Sequence, residues 1–293
     1  MDCGSLLPLS GTGSATDART HRMRRTQDKG PACTPPPFCV TLTAPQPPEH
    51  AVAMNDTKPE LPYRIHALEL GPMENFIYVI EDIASGRAAV VDPAWEPEDI
   101  LALVEKKGLT ITDLLLTHSH HDHINGIERV LESAPTARLH LLKPEADFWG
   151  RTLAKPELHH GGDRMKLGDT EILFLHTPGH TPGSACFHLP AGDDLITGDT
   201  LFVFGCGRCD LAGGDPEQMF HTLKDLRTGL PRHTCIHPGH NYSVKPTSTL
   251  EEESQGNPFL HFREMGDFVH YRMHEHDRVR NSPYGPVPVQ PGS

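Results

Sequence analysis

Four separated stretches of this chain carry side chains with lone pairs to offer a cation. The first is Thr117-His118-Ser119-His120-His121-Asp122-His123, directly after an apolar run. In extended backbone, side chains two apart point the same way, so His118 and His120 can reach one ion. Asp122 and His123 fall where the strand gives way to a loop or helix start and can turn toward a neighbouring position. The segment therefore offers partial shells for two cations, while His121 faces away from His120 and stays outside the set. The other stretches are Pro178-Gly179-His180-Thr181-Pro182-Gly183, Gly198-Asp199-Thr200 and Pro238-Gly239-His240. Each presents one donor after a strand, where the loops of an α/β scaffold converge. Singly, His180 and His240 read as local hydrogen-bonding groups and Asp199 as a turn cap. As an ordered set they read as a metal site, since neutral imidazole is the commonest protein ligand for metals.

Positioning such donors takes alternating strands and helices, and the pattern supplies them. Runs at residues 63–70, 75–80 and 87–92 are rich in Ile, Val, Leu and Tyr, with Gly71, Pro72 and Gly86 between them, and predict strands. Residues 97–107 have helical spacing, with Ile100, Leu101, Leu103 and Val104 on one stripe and Gly108 as a stop. Further strands are predicted at 113–117, 137–142, 171–176, 184–189, 194–197 and 234–237, and helices at 125–133 and 216–227. The reading then turns helical, at 250–255 and 257–275. It divides the chain into an α/β body over residues 54–245, a helical extension over 246–281 and a proline-rich end, 282–293, expected to fray. Residues 1–53 are rich in Gly, Ser, Thr and Pro; they are expected to be disordered or to precede the true start at Met54.

Composition narrows the function. With 26 basic against 39 acidic side chains the formal charge is −13, the wrong sign for contacting nucleic-acid phosphates. No apolar stretch approaches the roughly 20 residues that span a bilayer. Seven scattered cysteines do not describe a disulfide framework, and a reducing, cytoplasmic compartment is expected. Cys206 and Cys209 form a lone C-x-x-C outside any thioredoxin-like unit, so neither a redox nor a zinc-ribbon role is assigned to it. His270, His274 and His276 read as a solvated helical face.

The order H-x-H-x-D-H, then H, then D, then H, with G-H-T-P-G and G-D-T-L-F around the middle donors, resembles the metallo-β-lactamase superfamily over residues 63–264. That resemblance implies an αβ/βα four-layer sandwich of two sheets flanked by helices. Within the superfamily the chain is most similar to hydroxyacylglutathione hydrolases. The resemblance implies that His118, His120 and His180 hold one divalent ion, that Asp122, His123 and His240 hold a second, and that Asp199 bridges them. Such a set suits zinc and also takes iron or manganese. Two ions about 3.5–4 Å apart lower the pKa of a shared water, and the implied reaction is attack of that hydroxide on a glutathione thioester such as S-lactoylglutathione. Asp122 would also orient the water. Arg208, in Gly205-Cys206-Gly207-Arg208, would supply a forked donor for a glutathione carboxylate, and Tyr242 would contact the thiol peptide. Asp210 departs from the pattern by standing where those hydrolases usually carry tyrosine.

Two further activities share the scaffold. Gly207-Arg208-Cys209-Asp210 also resembles a segment of persulfide dioxygenases, which implies a single iron on His118, His180 and Asp199. Other members open lactones or lactams. A non-catalytic metal-binding module is the alternative outside enzymology.

Overall fold

The computed structural model describes residues 60–151 and 155–289; the stretch expected to be disordered or mis-assigned, 1–53, lies outside them. Two six-stranded sheets organise the rest. The first holds, in order, β1 (Tyr63–Leu70), β2 (Asn75–Asp82), β3 (Arg87–Val91), β4 (Thr110–Leu115), β5 (Arg138–Leu142) and β6 (Glu157–His159). The second runs from β14 (Ser248–Thr249) through β13 (Cys235–Pro238), β10 (Asp194–Gly198), β9 (Ala185–Leu189) and β8 (Thr170–His176) to β7 (Arg164–Leu167), and β11 (Leu201–Phe202) pairs with β12 (Gly205–Cys206) in a two-stranded ribbon.

Strand periodicity explains why the sheets stack. Along β2 and β3 the residues Tyr78, Ile80, Ala89 and Val91 join Leu115, and they pack against Phe174, Phe187, Leu189 and Ile196 of the second sheet. The alternate residues Ile77, Val79, Ala88 and Val90 face outward under α1 (Pro97–Lys107) and α3 (Ile127–Ser133), meeting Ile100, Val104, Ile127 and Val130. On the far side Cys186, Leu195 and Ile236 lie under α5 (Pro216–Gly229), against Met219 and Leu223. With period 2, each strand supplies one face to the inter-sheet core and one to a helix layer. The expected αβ/βα sandwich is what forms.

Local chemistry sets the helix ends. Helix α1 matches its predicted bounds because Pro97 opens it and Gly108, at φ +66, closes it in the left-handed region that glycine tolerates. In α5 the Asp215 carboxylate accepts from the Glu217 and Gln218 amides.

Three expectations need correction. Residues 257–275 are not one helix: Pro258 starts a 3₁₀ turn (Pro258–Leu260), and α7 (Met265–His270) follows, running into one π-type turn (Tyr271–Glu275) and α8 (His276–Val279). His276 is not on a solvated face; it is buried, 4.6 Å from the Phe259 ring. The proline-rich end does not fray over its described part. Tyr284 is buried, its amide donates to the Tyr242 carbonyl at 2.7 Å, and the Val287 amide donates to Gly256 at 2.7 Å. An aromatic anchor and backbone pairing hold a segment whose prolines alone suggested disorder. Among the described residues no helix is long and apolar enough to cross a membrane.

Candidate metal centre

All the donors singled out above meet at the loop end of the two sheets. After β4 the chain leaves the sheet through a bend at Thr117, His120 is extended, and a single helical turn, α2 (His121–Ile124), swings Asp122 and His123 inward while His121 stays exposed. His180 follows β8, Asp199 follows β10 and His240 follows β13. One ligand atom from each of His118, His120 and His180 lies within 4.8 Å of the others, and the same holds for Asp122, His123 and His240. Asp199 lies between the trios: Oδ1 is 3.3 Å from Nε2 of both His123 and His240, and Oδ2 is 3.5 Å from Nε2 of His180. The approach is open because Gly198 and Gly239 carry no side chain. A Cβ at Gly198 would lie 2.5 Å from Thr117 Oγ1, and one at Gly239 would lie 2.5 Å from Asp199 Oδ1.

The inward nitrogens face one another in a way that ordinary hydrogen bonding does not satisfy. His120 Nδ1 is 2.9 Å from His180 Nε2, and His123 Nε2 is 3.3 Å from His240 Nε2. His118 Nε2 and Asp199 Oδ1 are buried without a hydrogen-bond partner, although buried polar atoms are nearly always paired. The outward nitrogens, by contrast, are tied down. His180 Nδ1 donates to the Arg208 carbonyl at 2.8 Å and His240 Nδ1 to the Met73 carbonyl at 2.8 Å. His123 Nδ1 faces Asp92 Oδ2 at 2.9 Å. Tying the outer N–H leaves the inner lone pair aimed at the centre, the arrangement that orients metal-ligating imidazoles. The donor set therefore fits a pair of divalent cations.

Electrostatics divides the histidines: at His123 burial lowers the imidazole, but Asp199 and Asp92 prevail and raise it well above the usual histidine range, whereas His118 and His180 are lowered. Burial, reinforced by the neighbouring imidazoles of His123 and His180, holds His118 well below the usual histidine range. Burial outweighs the Asp199 charge at His180 and pushes it down to about 4. These two imidazoles stay neutral, with lone pairs available. Asp199 is kept ionised well below the usual carboxylate range: burial opposes this, and His240 and His123 prevail.

Several supporting residues carry no motif and went unread in the sequence. Asn75 Nδ2 donates to Asp122 Oδ2 at 3.2 Å, and Asn75 Oδ1 accepts from Trp95 Nε1 at 2.7 Å. Asp92, buried just after β3, accepts from both the Thr117 amide and hydroxyl. Buried Glu145, in α4 (Lys143–Trp149), accepts from the Ser119 amide and hydroxyl, the Thr181 hydroxyl and the Gly183 amide. It clamps the loop of His118 and His120 to that of His180.

The two substrate-contact expectations fare differently. The Arg208 guanidinium is closed on Asp210, Nε to Oδ1 at 2.9 Å and Nη2 to Oδ2 at 2.7 Å. Its fork is thus filled by the very residue that departs from the hydrolase pattern, and its carbonyl, not its side chain, serves the centre. Tyr242 stacks on the His240 ring, centroids 4.5 Å apart and planes 10° from parallel, at the wall of a cleft of about 750 Å³ that opens over the centre. Arg272, Arg280 and Tyr284 line the same cleft, and the Tyr284 ring meets Tyr242 edge-on with centroids 6.2 Å apart. Arg272 is buried, with Nη2 donating to Asp277 at 3.2 Å and Nε unpartnered. Cys206 and Cys209 are buried beside it, and burial pushes the Cys206 thiol up to about 12, so neither is a ready thiolate.

Residues 70–240 match the family model of the metallo-beta-lactamase superfamily, and the chain belongs to that superfamily. It is 31% identical over 212 residues to a probable polyketide biosynthesis zinc-dependent hydrolase, BaeB, of Bacillus velezensis, covering 72% of this chain and 93% of that one. To a hydroxyacylglutathione hydrolase of Thermosynechococcus vestitus it is 36% identical, covering 69% and 75%. The crystal structure of ETHE1 from Myxococcus xanthus superposes with a TM-score of 0.65 at 28% identity, covering 72% of this chain and 90% of that one.

Proposed function

We propose that this metallo-hydrolase cleaves a small thioester carrying an anionic thiol, glutathione-derived in the first instance, with two divalent ions at the site. Zinc is the natural choice for a set of imidazoles and carboxylates, and the name of the Bacillus velezensis relative agrees with it. The observation that carries the reading is the place of Asp199, within 3.3 Å of one trio's histidines and 3.5 Å of His180 in the other. His118, His120 and His180 would hold one ion and Asp122, His123 and His240 the other, with Asp199 shared. Bound there, the pair would supply Lewis acidity toward an acyl carbonyl and a water acidified to near-neutral pKa.

The chain's own residues do the remaining work. Asn75 fixes the Asp122 carboxylate, so that Asp122 presents an acceptor to a water at the cleft floor and orients it. No serine or cysteine nucleophile is needed, which agrees with the deeply buried thiols. Tyr242 and Tyr284 form the aromatic wall along which a thiol peptide would lie. Arg272 supplies the buried cation for one of its carboxylates, a charge-assisted contact.

The test is turnover of S-D-lactoylglutathione by the purified chain with metal analysis of the same sample, and a His118→Ala control. Two ions per chain with hydrolysis, falling by several orders of magnitude in the control, is the expected result. One iron per chain with O₂ uptake on glutathione persulfide would replace this reading with the dioxygenase one, and turnover of lactones or lactams alone would replace it with theirs.

A further inference from the structure

We propose that the chain carries a third metal site, separate from the centre above, in which His140, Glu157 and His159 bind one late first-row divalent cation at the edge of the first sheet. Strands β5 and β6 are parallel, with His140 opposite Glu157 and Leu142 opposite His159. Residues two apart share a face, so Glu157 and His159 both project on the side where His140 lies, with Leu158 turned away. One ligand atom from each of the three lies within 4.8 Å of the others.

The geometry repeats that of the centre. His140 Nδ1 is 2.9 Å from His159 Nε2, the same separation as His120 Nδ1 from His180 Nε2. Glu157 Oε2 is 3.6 Å from His140 Nδ1. On the other side of the ring, His140 Nε2 lies 2.9 Å from Asp113 Oδ1. Asp113 is itself buried and anchored by Thr112 and Arg138. An imidazole that donates Nε2–H to a fixed carboxylate has its Nδ1 lone pair free and made more basic, as in carboxylate–histidine–metal arrangements. His159 is held from behind by stacking on Phe174, centroids 4.0 Å apart and planes at 14°.

Charge and access also suit a cation. The carboxylates of Asp113, Glu157 and Asp163 outnumber the guanidinium groups of Arg87 and Arg138 around the cluster. The Glu157 side chain is 47% exposed, which leaves the open positions to water. Two imidazoles and one carboxylate select zinc, copper or nickel over calcium or magnesium. An ion there would pin edge strand β6 to β5.

The experiment is a titration of the full chain, stripped with a chelator, with Zn²⁺ against a chromophoric competitor, and with Co²⁺ read by its visible absorption. His159→Phe keeps the stack on Phe174 and removes the ligand, and Glu157→Gln changes an exposed side chain. His159→Phe should bind one equivalent fewer than the parent chain and lose one Co²⁺ component. Glu157→Gln should bind that equivalent at least about tenfold more weakly. Both variants should keep the parent's thioester turnover. Equal stoichiometry and equal Co²⁺ spectra in the parent chain and His159→Phe would overturn the proposal. If His159→Phe does not fold, unchanged zinc affinity in Glu157→Gln would overturn it alone.

Discussion

Nδ1 of His123 lies 2.9 Å from Oδ2 of Asp92, and both side chains are buried. Asp92 also takes the amide and hydroxyl of Thr117 at 2.8 and 2.5 Å, so one carboxylate orients His123 and fixes the residue before His118. Asp92→Asn keeps the shape but removes the charge that holds Nδ1–H. Outer partners of this kind are worth about 10- to 100-fold in metal affinity, and the loss should fall on the ion assigned to His123. Competitive zinc titration should show one weakened equivalent and the others unchanged. Uniform weakening of every equivalent, or none, would contradict the role.

Glu145 makes a sharper stability prediction because both of its oxygens accept backbone amides. Oε1 takes the Ser119 amide at 2.7 Å, and Oε2 takes the Gly183 amide at 3.1 Å. In Glu145→Gln the new NH₂ must face one of those N–H groups, leaving a buried donor unpaired whichever way the amide turns. The cost should be about 2–4 kcal/mol, read as a lower urea midpoint at unchanged m-value. A midpoint equal to the parent's would mean that the clamp carries no stability.

What the sequence made legible depended on whether the determining contacts were local. Helix α1 was readable to its ends because Pro97 and Gly108 act within one turn of it. The donors from His118 to His240 were readable because the first four follow an apolar strand directly and His180, Asp199 and His240 each sit beside a glycine after a strand, in a fixed order. Asp92 read only as the last residue of a strand, and Glu145 fell in no predicted element, because their partners lie 25 to 38 residues away. The same reason hid Tyr284: its burial depends on Tyr242, Ser243 and Arg280, none of which marks residues 282–289 as ordered. At Arg208 the sequence left a local pairing unread: the resemblance offers its fork to a ligand, and in the structure Arg208 lines the cleft with that fork on Asp210, two residues on.

Glu253 gives a pH prediction away from the centre. It is buried in α6 (Leu250–Gly256), and burial, opposed by Ser248, Asn257 and the Phe204 amide, raises its carboxyl to about 7. The folded chain therefore keeps this proton up to about pH 7, whereas the unfolded chain releases it near 4.5. Stability is fully present below the unfolded value and falls as pH rises toward 7, by on the order of 3 kcal/mol. Glu253→Gln, neutral in both states, lacks that loss. The Tm of the variant minus that of the parent should grow between pH 4.5 and 7 and stay level above. A difference independent of pH would show that the carboxyl does not titrate in this range.

Arg272 tests the substrate class. Arg272 lines the cleft, is 4% exposed and packs 5.6 Å from the Phe259 ring centroid, with Nη2 on Asp277, Nη1 3.1 Å from His276 Nδ1 and Nε buried without a partner. A buried cation with spare donors favours a carboxylate in the cleft. Arg272→Met keeps the length of the stem and removes the charge. Because the carboxylate of an anionic thiol is bound alike in ground and transition states, the loss should appear in KM, about tenfold or more, with kcat little changed. The same variant should turn over a thioester of an uncharged thiol as the parent does, since that substrate never used the cation. Equal losses on both substrates, or a fall in kcat without a change in KM, would mean that Arg272 holds the wall in place and leaves the anion of the substrate unrecognised.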